Sequence, residues 1–142
     1  MTIDGVHVES AKRVATFDHA GAENGWLLEL YKDGRKTVAY LTVAKPGAFK
    51  GYHLHRVRAA RYVCIRGRVT IILYAGRRRE EHLLDASEPR RLFIPPNVAT
   101  GLHNTGDEEA WLINYPEPAY NPDLADEQVE YTQDELEAGV TK

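Results

Sequence analysis

The stretch that decides the fold runs from residue 47 to residue 67 and reads GAFKGYHLHRVRAARYVCIRG. In a β-strand alternate side chains lie on the same face, so His53 and His55 project together. Their apolar neighbours Tyr52 and Leu54 then project to the opposite face. Two imidazoles on one face can bind a metal, act in acid–base catalysis, or sit hydrogen-bonded in a polar pocket. The His-x-His pattern alone leaves these three alternatives open.

Short runs rich in β-branched and aromatic residues flank this stretch and are separated by Gly, Pro and Asn. The first run is followed by Asp33-Gly34, a dipeptide typical of hairpin turns. Many short strands with little helix between them predict a sandwich, a barrel or a jelly roll. The predicted strands are 26–31, 37–43, 61–65, 69–74, 82–84, 91–94 and 110–115.

Two segments near the ends of the sequence are candidates for helix. Ser10–Phe17 is predicted to form one or two helical turns, with Ser10 as the N-cap. The segment Asp123–Lys142 is rich in Asp and Glu. This composition favours an acidic arm, a short helix or partial disorder.

Length and composition describe one folded domain of mixed charge. The chain has 142 residues, 43% of them hydrophobic, which is enough to bury a core. A net charge of −3 gives no overall footprint for nucleic acid, and no apolar run is long enough to span a bilayer. The single cysteine, Cys64, cannot form an internal disulfide and is expected to pack as a small hydrophobe. Because the first residues lack signal-peptide features, we expect a cytoplasmic location.

Basic residues cluster at three places in the sequence, namely 66 with 68, 77–79, and 90–91. Exposed hairpins and sheet edges commonly carry such charges, so we interpret these clusters as solvated turn and edge residues. The alternative is that one of them contacts an anionic ligand.

The spacing of the His-x-His stretch resembles the first sequence motif of the cupins. The segment 95–104 resembles the second cupin motif, with Asn97 in place of an inner glycine. Asn is acceptable there because it reaches left-handed backbone conformations more readily than most residues. The residues that fit the first motif are Gly47, His53, His55 and Gly67.

This resemblance implies an all-β fold, a single-domain cupin jelly roll (a double-stranded β-helix barrel). Residues 25–120 would form the barrel, between an N-terminal arm of residues 1–24 and an acidic C-terminal arm of residues 121–142. Metal-binding cupins use the two histidines, a glutamate and a later histidine, and the last two positions are Ala60 and Thr100 here. Because two histidines alone make a poor site for a divalent metal, we expect no metal and no cofactor.

The segment 25–120 further resembles the nucleotide-sugar branch of the RmlC-like cupins. This branch contains the dTDP-4-dehydrorhamnose 3,5-epimerases and the dTDP-4-keto-6-deoxyglucose 3,4-ketoisomerases. Lys50–His53 resembles a catalytic motif of the epimerases, 25–29 and 94–122 resemble their flanking strands, and 47–67 fits the ketoisomerase pattern without a gap. The resemblance implies an isomerase or epimerase that acts on a nucleotide-linked 4-keto-6-deoxy sugar by metal-independent proton abstraction next to the ketone.

The same resemblance implies that His53 is the catalytic base. Imidazole suits this step because its pKa lies near working pH. We expect His55 to act as a second proton shuttle or to stabilise the enolate, and Lys50 to supply positive charge. Tyr115, as a catalytic hydroxyl, or Tyr120 is expected at the mouth of the site. The other expected substrate-binding residues are Glu29, Arg61 and Asn114.

Departures from the epimerase pattern leave other functions open. Ala60 stands at the catalytic lysine position and Asn114 at the acid tyrosine position, and we expect this chain to lack the C-terminal aspartate that pairs with the base. These departures favour a non-catalytic cupin that binds a small ligand. The His-x-His pair by itself favours a metal-dependent cupin enzyme such as an oxygenase.

The expected partners follow from the same resemblance. They are a nucleotide sugar or another small molecule, and a second copy of the chain in a homodimer paired through sheet edges. Nucleic acid and membrane are not expected partners.

Overall fold

The computed structural model describes residue 4 and residues 13–33, 37–118 and 121–142. Within these residues the chain forms eleven strands and one short helix. In chain order they are β1 (Arg13–Phe17), β2 (Glu23–Asp33), β3 (Thr37–Ala44), β4 (Phe49–His55), β5 (Ala60–Arg66), β6 (Arg68–Ala75), β7 (Arg78–Asp85), β8 (Arg91–Ile94), β9 (Ala99–His103), β10 (Ala110–Asn114), β11 (Gln128–Glu130) and α1 (Gln133–Glu137).

The strands form two antiparallel sheets. One sheet has six strands in the order β1-β2-β3-β10-β5-β8, and the other has five in the order β11-β4-β9-β6-β7. The successive strands β4, β5 and β6 therefore lie in alternate sheets, and so do β8, β9 and β10. This repeated exchange between two sheets is the jelly roll that the sequence predicts. Every strand predicted from the sequence overlaps an observed one, whereas the turn at Gly34 lies outside the described residues.

Apolar side chains from both sheets meet in the core. Val69 and Leu112 are fully buried there. Cys64 lies in the same cluster, only 2% exposed, so its prediction as a small hydrophobe is confirmed. Burial raises the pKa of its thiol. A second cluster around Tyr52 extends to Leu136 of α1, which places Tyr52 on the face opposite the histidines.

The helical turns predicted for Ser10–Phe17 are wrong over the part that the structure describes. Arg13–Phe17 forms β1 and pairs antiparallel with β2, while residues 10–12 lie outside the described residues. The β-branched residues Val14 and Thr16 favour an extended backbone. Pairing with β2 then supplies backbone hydrogen bonds that an isolated helical turn would lack.

The acidic segment Asp123–Lys142 supplies both a strand and the helix. β11 pairs antiparallel with β4, so that Gln128 and Glu130 lie opposite the two histidines. The helix α1 follows at once, and Thr132 caps its first turn in a reciprocal capping box. Of the alternatives that the composition leaves open for this segment, the structure shows a short helix. The edge strand beside the His-x-His pair was not expected from the sequence.

Two backbone positions show why particular residues stand next to the site. Asn97 has a φ of 67°, the left-handed conformation that was predicted for it. Gly51 has a φ of 124°, and a Cβ there would come within 2.6 Å of the carbonyl oxygen of Thr100. Only glycine fits a strand position that combines this conformation with so close an approach.

The surface agrees with the interpretation of the basic clusters. The arginines at 66, 68, 77–79 and 90–91 are all exposed, at strand ends and turns. Within the described part of the chain, no helix has the length and apolar character needed to cross a bilayer.

Candidate active site

A cavity of about 1030 Å³ is lined by side chains from both sheets. His53 and His55 of β4 both line it, as strand alternation predicts. The adjacent edge strand β11 adds Gln128 and Glu130 to the same wall. The six-stranded sheet supplies Tyr40, Thr42, Ala60, Tyr62 and Asn114.

His53 lies half-exposed in the cavity wall. Its Nδ1 is 3.3 Å from the amide Nε2 of Gln128 and 3.8 Å from Oε1 of Glu130. Burial lowers the pKa of His53, and the carboxylate of Glu130 opposes that shift. The imidazole is therefore neutral at pH 7, the state that a proton acceptor needs.

His55 is more enclosed and belongs to a tight network. Its Nδ1 is 2.9 Å from Nη2 of Arg58 and 3.5 Å from Oε2 of Glu127. Burial, and next the charge of Arg58, lower the pKa of His55 to about 4. Burial alone would raise the pKa of Glu127, but its hydrogen bonds from Arg58 outweigh burial and lower it to about 2. The network thus holds a neutral imidazole beside a charged pair.

Lys50 reaches the same cavity because β4 carries a bulge. Lys50 lies opposite Leu102 and His53 opposite Thr100, so three steps along β4 match two along β9. The extra residue brings Lys50 to the side of His53, whereas a regular strand would place them on opposite faces. The ammonium Nζ is buried and has no hydrogen-bond partner within the described residues. Burial lowers the pKa of Lys50 to about 8.

A row of polar side chains crosses the opposite wall. Tyr40 of β3 lies opposite Asn114 of β10, and Asn114 lies opposite Tyr62 of β5. All three line the cavity. Oδ1 of Asn114 accepts a hydrogen bond from the backbone N–H of Arg61 at 3.2 Å. Burial raises the pKa of Tyr62 to about 12, so this hydroxyl stays protonated.

The structure does not bring every expected site residue to the cavity. Tyr115 is 44% exposed and is not among the lining residues. The guanidinium of Arg61 also points elsewhere, since it pairs with Glu117 at 2.7 Å. Glu29 has its backbone opposite Tyr40, but its side chain lies outside the described residues, and so does the whole of Tyr120. Two other tyrosines, Tyr40 and Tyr62, line the cavity.

Sequence reasoning missed four residues beside the histidines. Arg58 follows the His-x-His strand directly, and the other three lie about 70 residues further on. Alternation of polar and apolar residues over 128–131 was a signal for a half-buried strand, although the acidic composition of the segment obscured it. The four missed residues are Arg58, Glu127, Gln128 and Glu130.

The residues present do not fit the metal site of metal-binding cupins. Ala60 and Thr100, at the two remaining ligand positions, both line the cavity and offer a methyl group and a hydroxyl. The Nδ1 of His55 is occupied by Arg58. Within the described residues, no group of three or more His, Cys, Asp or Glu side chains is placed to hold a metal ion.

Comparisons with known proteins agree with this architecture. CapF, a capsular polysaccharide assembling protein from Staphylococcus aureus, superposes with a TM-score of 0.71 at 18% identity, over 84% of this chain and 34% of that one. An oxalate decarboxylase superposes with a TM-score of 0.64 at 17% identity, over 77% of this chain and 28% of that one. Two facing sheets with a His-x-His strand in the cavity define a cupin, and these structures share that fold.

A curated relative and a family model narrow the class. The probable low-salt glycan biosynthesis epimerase Agl13 of Haloferax volcanii is 26% identical over 99 residues, which are 64% of this chain and 64% of that protein. The model of the polysaccharide biosynthesis C-terminal domain matches residues 20–128. The chain belongs to this family of RmlC-like cupins of sugar biosynthesis.

Proposed function

We propose that this chain is a sugar isomerase or epimerase. Its substrate would be a nucleotide-linked 4-keto-6-deoxy sugar, from which it removes a proton next to the ketone without a metal. The family and the relative named as an epimerase support the reaction class. The observation that carries the chemistry is the convergence of His53, His55 and the buried ammonium of Lys50 on one cavity.

His53 is the base in this proposal and accepts the proton on Nε2. This requires the neutral ring to carry its hydrogen on Nδ1, facing Glu130 and the side-chain oxygen of Gln128 after rotation of that amide. The imidazole of His53 is neutral at pH 7 because burial lowers its pKa. Once it takes the proton, the imidazolium lies 3.8 Å from the carboxylate of Glu130, which stabilises the positive charge. Glu130 would therefore pair with the base, as an aspartate does in the epimerases that this chain resembles. General base catalysis of this kind contributes about a hundred- to ten-thousand-fold.

Lys50 stabilises the enolate that forms. Most molecules carry a charged ammonium at pH 7, because the pKa of Lys50 lies at about 8. A buried cation without a partner gains most when negative charge develops beside it, since water does not screen the interaction. Lys50 would thereby supply the charge that the family places at the position of Ala60.

Proton return requires a donor on the other side of the sugar. The hydroxyl of Tyr62 lines the wall opposite β4 and stays protonated near neutral pH, because burial raises its pKa to about 12. The cavity volume of about 1030 Å³ is at the upper end of the range for small-molecule sites. It is large enough for a sugar with part of its nucleotide.

A second candidate function is binding of a small ligand without catalysis. It is favoured by Ala60 and by Asn114, whose side-chain oxygen is occupied by a backbone N–H. Incubation with a nucleotide 4-keto sugar in heavy water, followed by NMR, separates the two candidates. Deuterium wash-in at the carbon beside the ketone supports the enzyme. Saturable binding without wash-in supports the ligand-binding protein.

We further propose a cytoplasmic homodimer paired through a sheet edge. The edge strands β1 and β8 of the six-stranded sheet carry the exposed apolar side chains Val14, Phe17 and Phe93, and such edges favour pairing with a second copy. Sedimentation velocity at micromolar concentration is expected to give a dimer. A monomer at that concentration would remove this part of the proposal.

A further inference from the structure

The tautomer of His55 is set by a neighbour that can only donate hydrogen bonds. Nη2 of Arg58 lies 2.9 Å from Nδ1 of His55. A guanidinium has five N–H donors, no acceptor, and no accessible deprotonated form in proteins. The Nδ1 atom must therefore be the acceptor. A neutral imidazole carries one hydrogen, so that hydrogen lies on Nε2.

Arg58 is itself held in place by Glu127. Its Nε is 3.1 Å from both carboxylate oxygens, and its Nη2 is 3.0 Å from Oε2. The backbone N–H of Arg58 donates to Oε1 of the same carboxylate at 3.0 Å. The two side chains are only 10% and 4% exposed. Rotation of the guanidinium away from His55 would leave a buried carboxylate without its cation, which is costly.

The other groups that face His55 do not reverse this arrangement. Glu127, at 3.5 Å from Nδ1, favours a proton on the ring, but Arg58 occupies its oxygens. His53, on the same strand, opposes a positive charge on His55, as Arg58 does. Gln128 of β11 lies opposite His55 and is uncharged. Burial adds to these effects and keeps the imidazole neutral at pH 7.

We propose that Arg58 and Glu127 are positioning residues that hold His55 as a neutral imidazole protonated on Nε2, so that His55 donates a hydrogen bond to a ligand oxygen. His55 is then neither a base nor a metal ligand. To bind a metal through Nε2 it would have to carry its hydrogen on Nδ1, where that hydrogen would face an N–H of Arg58. The inference depends on the proposed function in one respect only. The ligand oxygen that accepts the hydrogen bond from Nε2 is identified as the oxygen of the substrate ketone, and of the enolate that forms from it.

The tautomer is measured directly, without any sugar, by long-range ¹H–¹⁵N NMR of the ¹⁵N-labelled protein at pH 7. The signals of His55 are assigned from their loss in His55→Asn. We expect an unprotonated Nδ1 and a protonated Nε2. A hydrogen on Nδ1, or on both nitrogens, at pH 7 would overturn the inference and would leave the proposed function standing.

The role of Arg58 is tested by Arg58→Met. Removal of the guanidinium allows Glu127 to accept a hydrogen from Nδ1, so the tautomer is expected to switch. The matched control is Arg56→Met, because Arg56 lies in the same loop but donates to the carbonyl oxygen of Lys142 at the surface. An unchanged tautomer in folded Arg58→Met would remove Arg58 as the determinant. If that variant does not fold, the wild-type spectrum still decides the tautomer.

The donor role of His55 is tested by two substitutions that differ in one property. The amide of His55→Gln can donate a hydrogen bond but cannot act as a base near neutral pH, whereas His55→Leu can do neither. Deuterium exchange is expected to fall about a hundred- to a thousand-fold in His55→Leu and clearly less in His55→Gln. Equal loss in two well-folded variants would show that His55 is not a donor.

Discussion

His53 and His55 lie two residues apart on one strand, and each faces a glutamate from the same C-terminal segment. The Nδ1 atoms are 3.8 Å and 3.5 Å from those carboxylates, yet the two sites differ. Glu130 is 63% exposed and Glu127 is 4% exposed. Of the two, only Glu127 forms an ion pair with an arginine among the described residues, namely Arg58. The difference shows that a carboxylate raises the pKa of a neighbouring imidazole less when its oxygens already accept hydrogen bonds from an arginine.

The largest expected difference between the two histidines is catalytic. His53→Asn should lower deuterium exchange about a hundred- to ten-thousand-fold, because Asn keeps a hydrogen bond but has no base near neutral pH. Nucleotide binding, measured by calorimetry, should remain. His82→Asn is a matched control, since His82 forms a similarly exposed pair with Glu80 at 3.2 Å, away from the cavity. Wild-type exchange in well-folded His53→Asn would end the assignment of the base.

The two glutamates should differ in their effect on stability. Glu127→Gln leaves Arg58 buried without its anion, and breaking such a pair costs about 3–5 kcal/mol in the free energy of unfolding. Glu130→Gln removes an exposed charge and should cost less than about 1 kcal/mol. Urea denaturation of both variants checks the comparison. Equal losses would mean that the Arg58–Glu127 pair contributes no more than a surface contact.

The pH dependence of stability should carry the signature of His55. Its pKa is about 4 in the folded protein and about 6.5 in an unfolded chain, so unfolding takes up a proton between these values. The free energy of unfolding should therefore fall by about 1.4 kcal/mol per pH unit as the pH is lowered through that window. Below pH 4.5, protonation of Glu127 on unfolding adds to the loss.

Thermal melts between pH 7 and pH 4.5 measure this slope. It should become shallower in His55→Asn, because Asn does not titrate. The slope that remains comes in part from His53, whose pKa burial also lowers. A slope that is the same in the variant and in the wild type would mean that other groups cause the acid sensitivity.

One substitution in the site is expected to increase stability. Lys50→Met keeps most of the volume of the side chain and removes a buried ammonium that has no hydrogen-bond partner among the residues that the structure describes. The free energy of unfolding should rise by about 1 kcal/mol, while deuterium exchange falls about a hundred-fold or more. Lys45→Met, at a half-exposed position of the cavity rim, is the control and should change neither strongly. Loss of stability in Lys50→Met would show that Lys50 is a structural residue.

The sequence predicted what depends on local pattern. Strand alternation placed His53 and His55 in one cavity, and turn chemistry anticipated the left-handed Asn97. Strand alternation alone did not predict what depends on register. The family resemblance implied Lys50 in the site, and a bulge that no local pattern shows brings it to the side of the histidines. The pairing of β11 with β4, which brings Glu127 and Glu130 to the histidines, was not predicted. Neither the bulge nor the pairing can be recognised in the local sequence, because both depend on which strand pairs with β4.

The tyrosines show the same limit. Tyr115 and Tyr120 were expected at the mouth from an alignment of the last barrel strand. Tyr115 does not line the cavity and Tyr120 lies outside the described residues, whereas Tyr62 lies beside Asn114, on a strand about 50 residues earlier in the chain. A hydroxyl that enters the site from a neighbouring strand cannot be found by aligning one strand alone.

The pairing of β11 with β4 also affects the stage of folding at which the protein becomes active. Arg58 and Glu127 are 69 residues apart in sequence, and contacts that close such long loops form slowly. Until β11 has paired with β4, the two histidines lack their carboxylates and Arg58 lacks the carboxylate that holds it. In refolding experiments, activity should therefore recover no earlier than the pairing of β11 with β4.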